Sequence, residues 1–401
     1  MTDCGVVVVG ASVAGSRVAS ELRDAGHRGV ITLVDPDPDA PYDRPPLSKQ
    51  ILAGEWDEER AALGDPAQWQ AGRRVAAAIG LDPERRVLRL DDGFELAYDK
   101  LVLACGMAPI PLPGMPREGA HLLRTLQDCR RLRADLERVG SGGRLVVVGG
   151  GFIGAEVAST ARSRGLDVTV VEAQEAPLSG LLGTEAATEL ALLHRDNDVR
   201  LLCGTPVVGL VGTPSVTGVT LADGRVLPAD VVVVGVGVRP DTDWLEGSGV
   251  PLAADGGVLC DEYCAVDPDR TLYAVGDVAR CHDPRREHYV RVEHWTDAVA
   301  QATVVAHDIT GVDRAPHRPD YFVWSDQYGG KITLLGRPGP DDTCTLVRTE
   351  GPRRRFAAVY RHDGDLTAVL TVNWPKALVA ARRAMADPAG AEDVVATLKN
   401  L

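Results

Sequence analysis

Three glycines and one carboxylate in the middle of the chain have the types and spacing that bind a dinucleotide. Gly149, Gly151 and Gly154 form the pattern Gly-x-Gly-x-x-Gly. In that pattern the first glycine makes a tight turn, the second lets the backbone approach a pyrophosphate, and the third lets a helix pack on a strand. Phe152 and Ile153 then open a helix whose unpaired N–H groups and positive dipole end face the phosphates. Glu172 stands about twenty positions on, where an acid accepts hydrogen bonds from an adenosine ribose.

Those residues need a strand before them and another before the acid. The apolar run Leu145–Val148 supplies the first, and Asp167–Val171, after a helical stretch and Gly165, supplies the second. The start of the chain repeats the arrangement. Val6–Val9 predicts a strand, Gly10-Ala-Ser-Val-Ala-Gly15 a turn, and a helix runs to about Ala25 before a strand Val30–Val34 that ends at Asp35. Ser12 stands where the middle glycine usually sits; serine is small enough for close approach but gives up freedom in φ. Gly10, Ser12, Ala14, Gly15 and Asp35 are therefore a second set of candidate cofactor contacts.

The repeat extends further. Asp92-Gly93 and the strand Leu101–Leu103, closing at Ala104-Cys105-Gly106, match Asp223-Gly224 and Val231–Val234, closing at Gly235-Val236-Gly237. Two dinucleotide-binding domains imply two dinucleotides, and a flavin with a nicotinamide is the economical pair. The predicted class is α/β, with two Rossmann-like domains and a C-terminal α+β domain built on an antiparallel sheet. The expected divisions are 1–112 and 238–315 for the first nucleotide domain, 113–237 for the second, and 316–401 for the last.

Composition agrees with a water-soluble enzyme. At 401 residues, with 45% hydrophobic and 25% charged residues, the chain can bury ample core. No apolar run approaches the roughly 18 residues of a membrane span, and the strand Val6–Val9 begins too early for a cleaved signal peptide. A net charge of −14 disfavours nucleic acid and anionic membranes as partners. The eight cysteines are scattered without a C-x-x-C pair, as expected of a cytoplasmic chain with reduced thiols. Cys260, Cys264, Cys281, His282 and His288 cluster loosely, but their spacings match no usual zinc pattern, so no metal is expected.

Residues 36–74 form a loop-rich insertion around Pro41-Tyr-Asp-Arg-Pro-Pro-Leu-Ser-Lys49. Consecutive prolines stiffen the backbone there and hold a short helix from Leu47. Glu293 through Thr310 predicts a helix led by Glu293, His294 and Trp295, with apolar positions at helical spacing. From about Pro316 the chain reads as short antiparallel strands at Ile332–Leu335, Thr345–Val347, Phe356–Tyr360 and Leu366–Val372. Two helical stretches follow, Pro375–Met385 and Ala391–Leu398.

Taken together these motifs resemble the FAD-dependent NAD(P)H:ferredoxin reductases of oxygenase and cytochrome P450 systems, which share the glutathione-reductase-like two-dinucleotide fold. The resemblance spans essentially the whole chain. It rests on Gly10–Gly15, Arg44-Pro-Pro-Leu-Ser-Lys49, Gly149–Glu156, Tyr273-Ala-Val-Gly-Asp277, Glu293-His-Trp295 and Trp324-Ser-Asp326. It implies that FAD is held by Gly10, Gly15 and Asp35, by Arg44, Pro45, Lys49 and Arg124, and by Gly276-Asp277, Glu293, His294 and Trp295. Trp324 is expected as an aromatic wall near the flavin. Lys49 and Glu156 are expected to pair beside the hydride path. The helix from Glu293 is expected to turn its positive end toward the flavin and favour the anionic reduced form.

The implied reaction takes a hydride from NADH and delivers single electrons to a small acidic iron–sulfur ferredoxin, which serves a P450 or oxygenase, with flavin as converter. NADH is favoured over NADPH because Glu172 would repel a 2′-phosphate and the following residues supply no arginine to bind one. Candidate docking cations are Arg280, Arg285, Arg286 and Arg291, Arg353–Arg355, and Arg382–Arg383, in a monomer or homodimer. The chain departs from the family pattern at Cys105, where threonine is usual, and at Ile110, where arginine commonly follows the proline.

Two rivals share the fold. A disulfide reductase or NADH oxidase would carry a redox cysteine at the flavin, but the segment around Pro45, Pro46 and Lys49 has none, and Cys105 lacks a neighbouring base. A redox-dependent binding protein like apoptosis-inducing factor would show slow electron transfer and a stable charge-transfer complex.

Overall fold

A computed structural model describes residues 5–284, 287–349, 351, 353–386 and 394–401. The chain divides into two compact units. The first comprises 1–44, 58–108 and 238–320; the second comprises 45–57, 109–237 and 321–401.

The first unit is built on a five-stranded parallel sheet with Val6–Val9 at its centre. Ile31–Asp35 lies on one side, followed outward by Gly72–Val75, and Lys100–Leu103 lies on the other, followed by Leu272–Ala274. A parallel sheet is covered on both faces, which explains why its central strand is four consecutive buried valines rather than an alternating pattern. The helix Val13–Asp24 packs against the helix Trp295–Thr310 above that core.

The second unit repeats the plan. Arg144–Val148 is central, with Asp167–Val171 and then Arg200–Leu202 on one side and Val231–Val234 and then Ala120–His121 on the other. In both units a hairpin precedes the closing strand, turning at Gly93 (φ +82°) and at Gly224 (φ +87°). The second unit also holds a five-stranded antiparallel sheet ordered Phe322–Gln327, Gly330–Gly336, Asp365–Val372, Arg355–His362, Thr343–Thr349. Helix Pro375–Ala386 covers one face of it. Leu182, Ala186 and Leu190 of Ser179–Asp196 pack with Phe356, Tyr360 and Leu370 on the other.

Several expectations shift. The insertion 36–74 ends in an edge strand, Gly72–Val75, whose Gly-Arg-Arg-Val sequence is half exposed and so carries no apolar run. The strand expected at Val30–Val34 is Ile31–Asp35, since Val30 is 52% exposed. The short helix at Leu47 is a 3-10 turn, Pro45–Ser48, followed by one turn of α-helix, Gln50–Ala53. The helix expected from Glu293 begins at Trp295, because His294 has extended backbone (φ −137°, ψ 143°) and takes the N-cap position. The last helix is described as Val394–Lys399; residues 391–393 of the expected Ala391–Leu398 lie outside the described residues, as do Arg285 and Arg286.

Candidate functional site

The two cradles are superimposable in their logic. Gly10 (φ +104°) and Gly149 (φ +100°) occupy backbone that L side chains rarely adopt. A Cβ on Gly10 would lie 2.3 Å from the Ala104 carbonyl oxygen, and one on Gly149 would lie 2.2 Å from that of Gly235. Gly15 and Gly154 press on the same turns, since a Cβ there would come 1.9 Å from Gly10 O and 2.1 Å from Gly149 O. The middle positions differ in kind. Ser12 has φ −79° and Gly151 has φ −67°, both caps in ordinary extended backbone, and a Cβ on Gly151 meets nothing. Serine at position 12 therefore costs the turn no strain.

Each acid is tied back to its own glycine turn. Asp35 Oδ2 accepts from Ala11 N at 2.6 Å and Oδ1 from Asp37 N at 2.8 Å. Glu172 Oε2 accepts from Gly150 N at 2.7 Å and Oε1 from Gln174 N at 2.9 Å. Two backbone donors fix each carboxylate while leaving lone pairs for ribose hydroxyls. The first unit also brings Gly276 (φ +73°) within reach of the turn: a Cβ there would lie 3.1 Å from Ala14 Cβ. Its N–H donates to Gln301 Oε1 at 2.7 Å, and Gln301 Nε2 in turn donates to Asp297 Oδ2 at 2.8 Å. Asp277 follows in the same short turn.

A dinucleotide fits these residues on two observations. In the second unit a Cβ on Gly151 meets nothing within 4 Å, and in the first Arg44, beside Ala11, Ser12 and Asp35 in one cleft, has a buried Nε without a hydrogen-bond partner among the described residues. An external anionic or hydroxyl oxygen would satisfy it. Trp295 Nε1 donates to Asp43 Oδ1 at 3.0 Å, next to Arg44. Partial desolvation pushes the Glu293 carboxyl up, against the opposing pull of Arg291, although its side chain is 42% exposed, and desolvation pushes the half-buried His294 imidazole down. Burial holds the Cys105 thiol up at about 12, so it is no thiolate nucleophile at neutral pH.

In the second unit Lys49, Glu156 and two residues the sequence reading had not assigned converge. Lys49 Nζ donates to Glu156 Oε2 at 2.9 Å, Ser48 Oγ donates to the same oxygen at 2.5 Å, and Ser325 Oγ donates to Oε1 at 2.7 Å. Gln327 Nε2 donates to Ser325 Oγ at 3.1 Å, and Thr160 Oγ1 to Ser48 O at 2.8 Å. Glu156 is 3% exposed, so this set of donors is what keeps a charged carboxylate tolerable inside the protein. Both serines sit inside quoted motifs, Leu-Ser-Lys49 and Trp-Ser-Asp326, yet a serine beside a charged residue carries no spacing signal of its own.

Trp324 alternates with Ser325 on the strand Phe322–Gln327 and so lies on the opposite face, stacked on Phe322 with centroids 6.0 Å apart. Arg124 directly precedes the capping box Thr125–Asp128 of helix Leu126–Val139, and its N–H lies 3.1 Å from Asp128 Oδ2. Phe152 and Ile153 open helix Phe152–Ser163, Ile153 with its side chain 47% exposed.

The loose cysteine and histidine cluster resolves differently. Cys260, Cys264 and Cys281 converge, but His282 lies on the alternate face of its strand, edge-on to Tyr289, and no metal-competent group of side chains occurs among the described residues. The candidate docking arginines are partly spent on intramolecular pairs: Arg280 and Arg291 both reach Asp255, and Arg354 reaches Asp196 and Glu189. Arg353 donates to Gly329 O, and Arg382 lies over the Phe322 ring. No described helix is long and apolar enough to cross a membrane.

Comparison with known proteins gives the same family from three directions. Residues 5–302 match the pyridine nucleotide-disulphide oxidoreductase family, and residues 322–399 match the reductase C-terminal family. The chain is 36% identical to rhodocoxin reductase of Rhodococcus erythropolis over 95% of its length and 89% of that protein's. It is 35% identical to the ferredoxin–NAD(+) reductase component of the anthranilate 1,2-dioxygenase system of Burkholderia cepacia, over 98% of both chains. The reductase in the covalent putidaredoxin reductase–putidaredoxin complex superimposes with a TM-score of 0.85 at 32% identity, over 95% of this chain and 91% of that one. The water-forming NADH oxidase of Lactobacillus brevis, at 20% identity and a TM-score of 0.83, shares the fold. The chain belongs to the pyridine nucleotide-disulphide oxidoreductase family, among its ferredoxin reductases.

Proposed function

We propose that the chain is an NADH:ferredoxin reductase that holds FAD in the unit built on Val6–Val9 and NADH in the unit built on Arg144–Val148. The observation that carries this reading is the doubled cradle: two strand–turn–helix sites, each with its own carboxylate tied to the glycine turn. Bound FAD would supply the conversion of a two-electron hydride donor into single electrons for an iron–sulfur protein.

The chain's own residues bind, orient and balance charge. Gly10, Gly15 and the N-terminus of Val13–Asp24 receive one diphosphate, and Asp35 and Arg44 fix its sugar and phosphate oxygens. Gly149, Gly151, Gly154 and Glu172 do the same for the nicotinamide dinucleotide, Glu172 favouring the form without a 2′-phosphate. Lys49 and Glu156 form a dry charge pair whose geometry Ser48 and Ser325 hold.

The electron acceptor is a small acidic ferredoxin that supplies an oxygenase or P450, and the setting is cytoplasmic, in keeping with free thiols at all seven described cysteines. The raised Cys105 thiol favours this over a disulfide reductase. Anaerobic titration of the purified yellow protein tests the cofactor assignment. One equivalent of NADH should bleach the flavin absorbance, with NADPH far slower. A colourless protein, or a flavin indifferent to NADH, would refute it.

A further inference from the structure

Three cysteines that the proposed reaction does not use meet inside the first unit. Cys260, on Val258–Cys260, is the direct register partner of Cys281, on Ala279–Asp283, across two parallel hydrogen-bonded strands. Their sulfurs lie 3.1 Å apart, and Cys264 Sγ lies 3.6 Å from Cys281 Sγ. All three are free thiols, at most 3% exposed. Neighbouring strands run about 4.8 Å apart, which brings register partners inside the roughly 4.4–6.8 Å Cα window a disulfide accepts. Cys264, held in a left-handed backbone (φ +62°), is the poorer partner, because its turn is fixed by Cys264 N to Asp261 O and Ala274 N to Cys264 O hydrogen bonds.

We propose that Cys260 and Cys281 form an oxidative modification site that closes to an intramolecular disulfide under hydrogen peroxide. Cys281 Sγ shares a hydrogen bond with each of the other two sulfurs, and these contacts pull its thiol well below the ordinary range. His317 lies nearby: burial opposes its protonation, but Asp297, 3.1 Å away, outweighs that and holds the imidazole above its ordinary value. Cys281, whose sulfur lies within reach of both of the others, is the attacking sulfur. Its thiolate bonds to one peroxide oxygen as the O–O bond breaks, and the departing hydroxide takes up a proton to leave as water. Cys260 sulfur then attacks the resulting sulfenic sulfur; the S–S bond forms, the S–O bond breaks and a second water leaves. Two thiols lose two electrons and two protons, and peroxide becomes two waters. Full burial limits the oxidant to one as small and uncharged as peroxide.

The test uses the flavin-loaded full-length enzyme, treated with peroxide, quenched in acid, unfolded, alkylated and mapped by mass spectrometry without reduction. The expected result is that free thiols fall by two from the eight in the sequence and that a Cys260–Cys281 peptide pair appears and is released by dithiothreitol. Cys281→Ser should abolish the pair, whereas Cys260→Ser should leave Cys281 as a sulfenic acid or joined to Cys264. Retained flavin absorbance before the quench shows that the protein stayed folded. Eight thiols still free, a cross-link between other cysteines, or sulfinic acid at Cys281 beside a free Cys260 would each overturn the assignment.

Discussion

Lys49 Nζ lies 2.9 Å from Glu156 Oε2, with side chains only 12% and 3% exposed, although 107 positions separate them in sequence. A charge pair this dry is stabilising only while both partners and their supporting donors are present. Glu156→Gln should therefore strand the lysine, and Lys49→Met the carboxylate, each lowering stability by roughly 3 kcal/mol. The double variant should lose much less than the sum. A thermal-unfolding double-mutant cycle measures this, and the rate of flavin bleaching by NADH should fall in every variant. Additive losses would show that the pair is not coupled.

The serines make a separate prediction. Ser325→Ala removes the only described donor to Glu156 Oε1, and Ser48→Ala removes one of two to Oε2. Loss of a charge-assisted hydrogen bond costs roughly 1.5–3 kcal/mol, so NADH-driven reduction should slow by about 10-fold or more. The effect should fall on kcat more than on KM, because the serines orient the carboxylate without holding a dinucleotide. Ser325→Thr, which keeps the hydroxyl, should recover part of the rate.

Cofactor binding should follow the glycine geometry unit by unit. Gly10→Ala should cut flavin retention by about 10-fold or more, equivalent to roughly 1.4 kcal/mol, and Gly149→Ala should do the same to NADH affinity. Gly151→Ala should be nearly neutral on turn geometry, since its φ is ordinary and its Cβ space is empty. Flavin content and NADH titration read these out.

Much of this was legible in the sequence, and the reason is local. A strand, a glycine turn, a helix and an acid are written in consecutive residues, so both cradles and the doubled plan follow from spacing alone. What was not legible depends on long-range contact. Ser48 and Ser325 reach Glu156 across 108 and 169 positions. Gly72–Val75 is an edge strand whose residues carry no burial pattern. The helix starts at Trp295, two residues later than the sequence predicts, because Glu293 and His294 suit a first turn by type, while the chain keeps both outside it.

Nucleotide preference should turn on one carboxylate. Glu172→Ala removes the charge that opposes a 2′-phosphate and also releases Gly150 N. The NADPH-to-NADH ratio of kcat/KM should rise by about 10-fold, in line with relief of a like-charge contact, while NADH use itself declines. An unchanged ratio would remove Glu172 from the discrimination.

The second unit should weaken in acid through His194. This ring is 2% exposed and shares a hydrogen bond between Nδ1 and Tyr328 OH, 2.7 Å away, and burial pushes it down to about 4. A histidine depressed on folding contributes stability that is present above its unfolded value and lost as pH falls toward the folded one. The loss should therefore begin near pH 6.5, the ordinary histidine value, and reach about 2 kcal/mol by pH 5. His194→Gln should flatten that portion of the stability–pH curve, read by thermal unfolding at pH 7 and pH 5.

The most direct test of the account is steady-state NADH oxidation by the flavin-loaded protein with cytochrome c as final acceptor, run with and without an added small iron–sulfur ferredoxin. The account predicts that cytochrome c reduction depends strongly on the ferredoxin and on NADH in preference to NADPH. Rapid NADH consumption by oxygen or a disulfide, with no effect of ferredoxin, would contradict it.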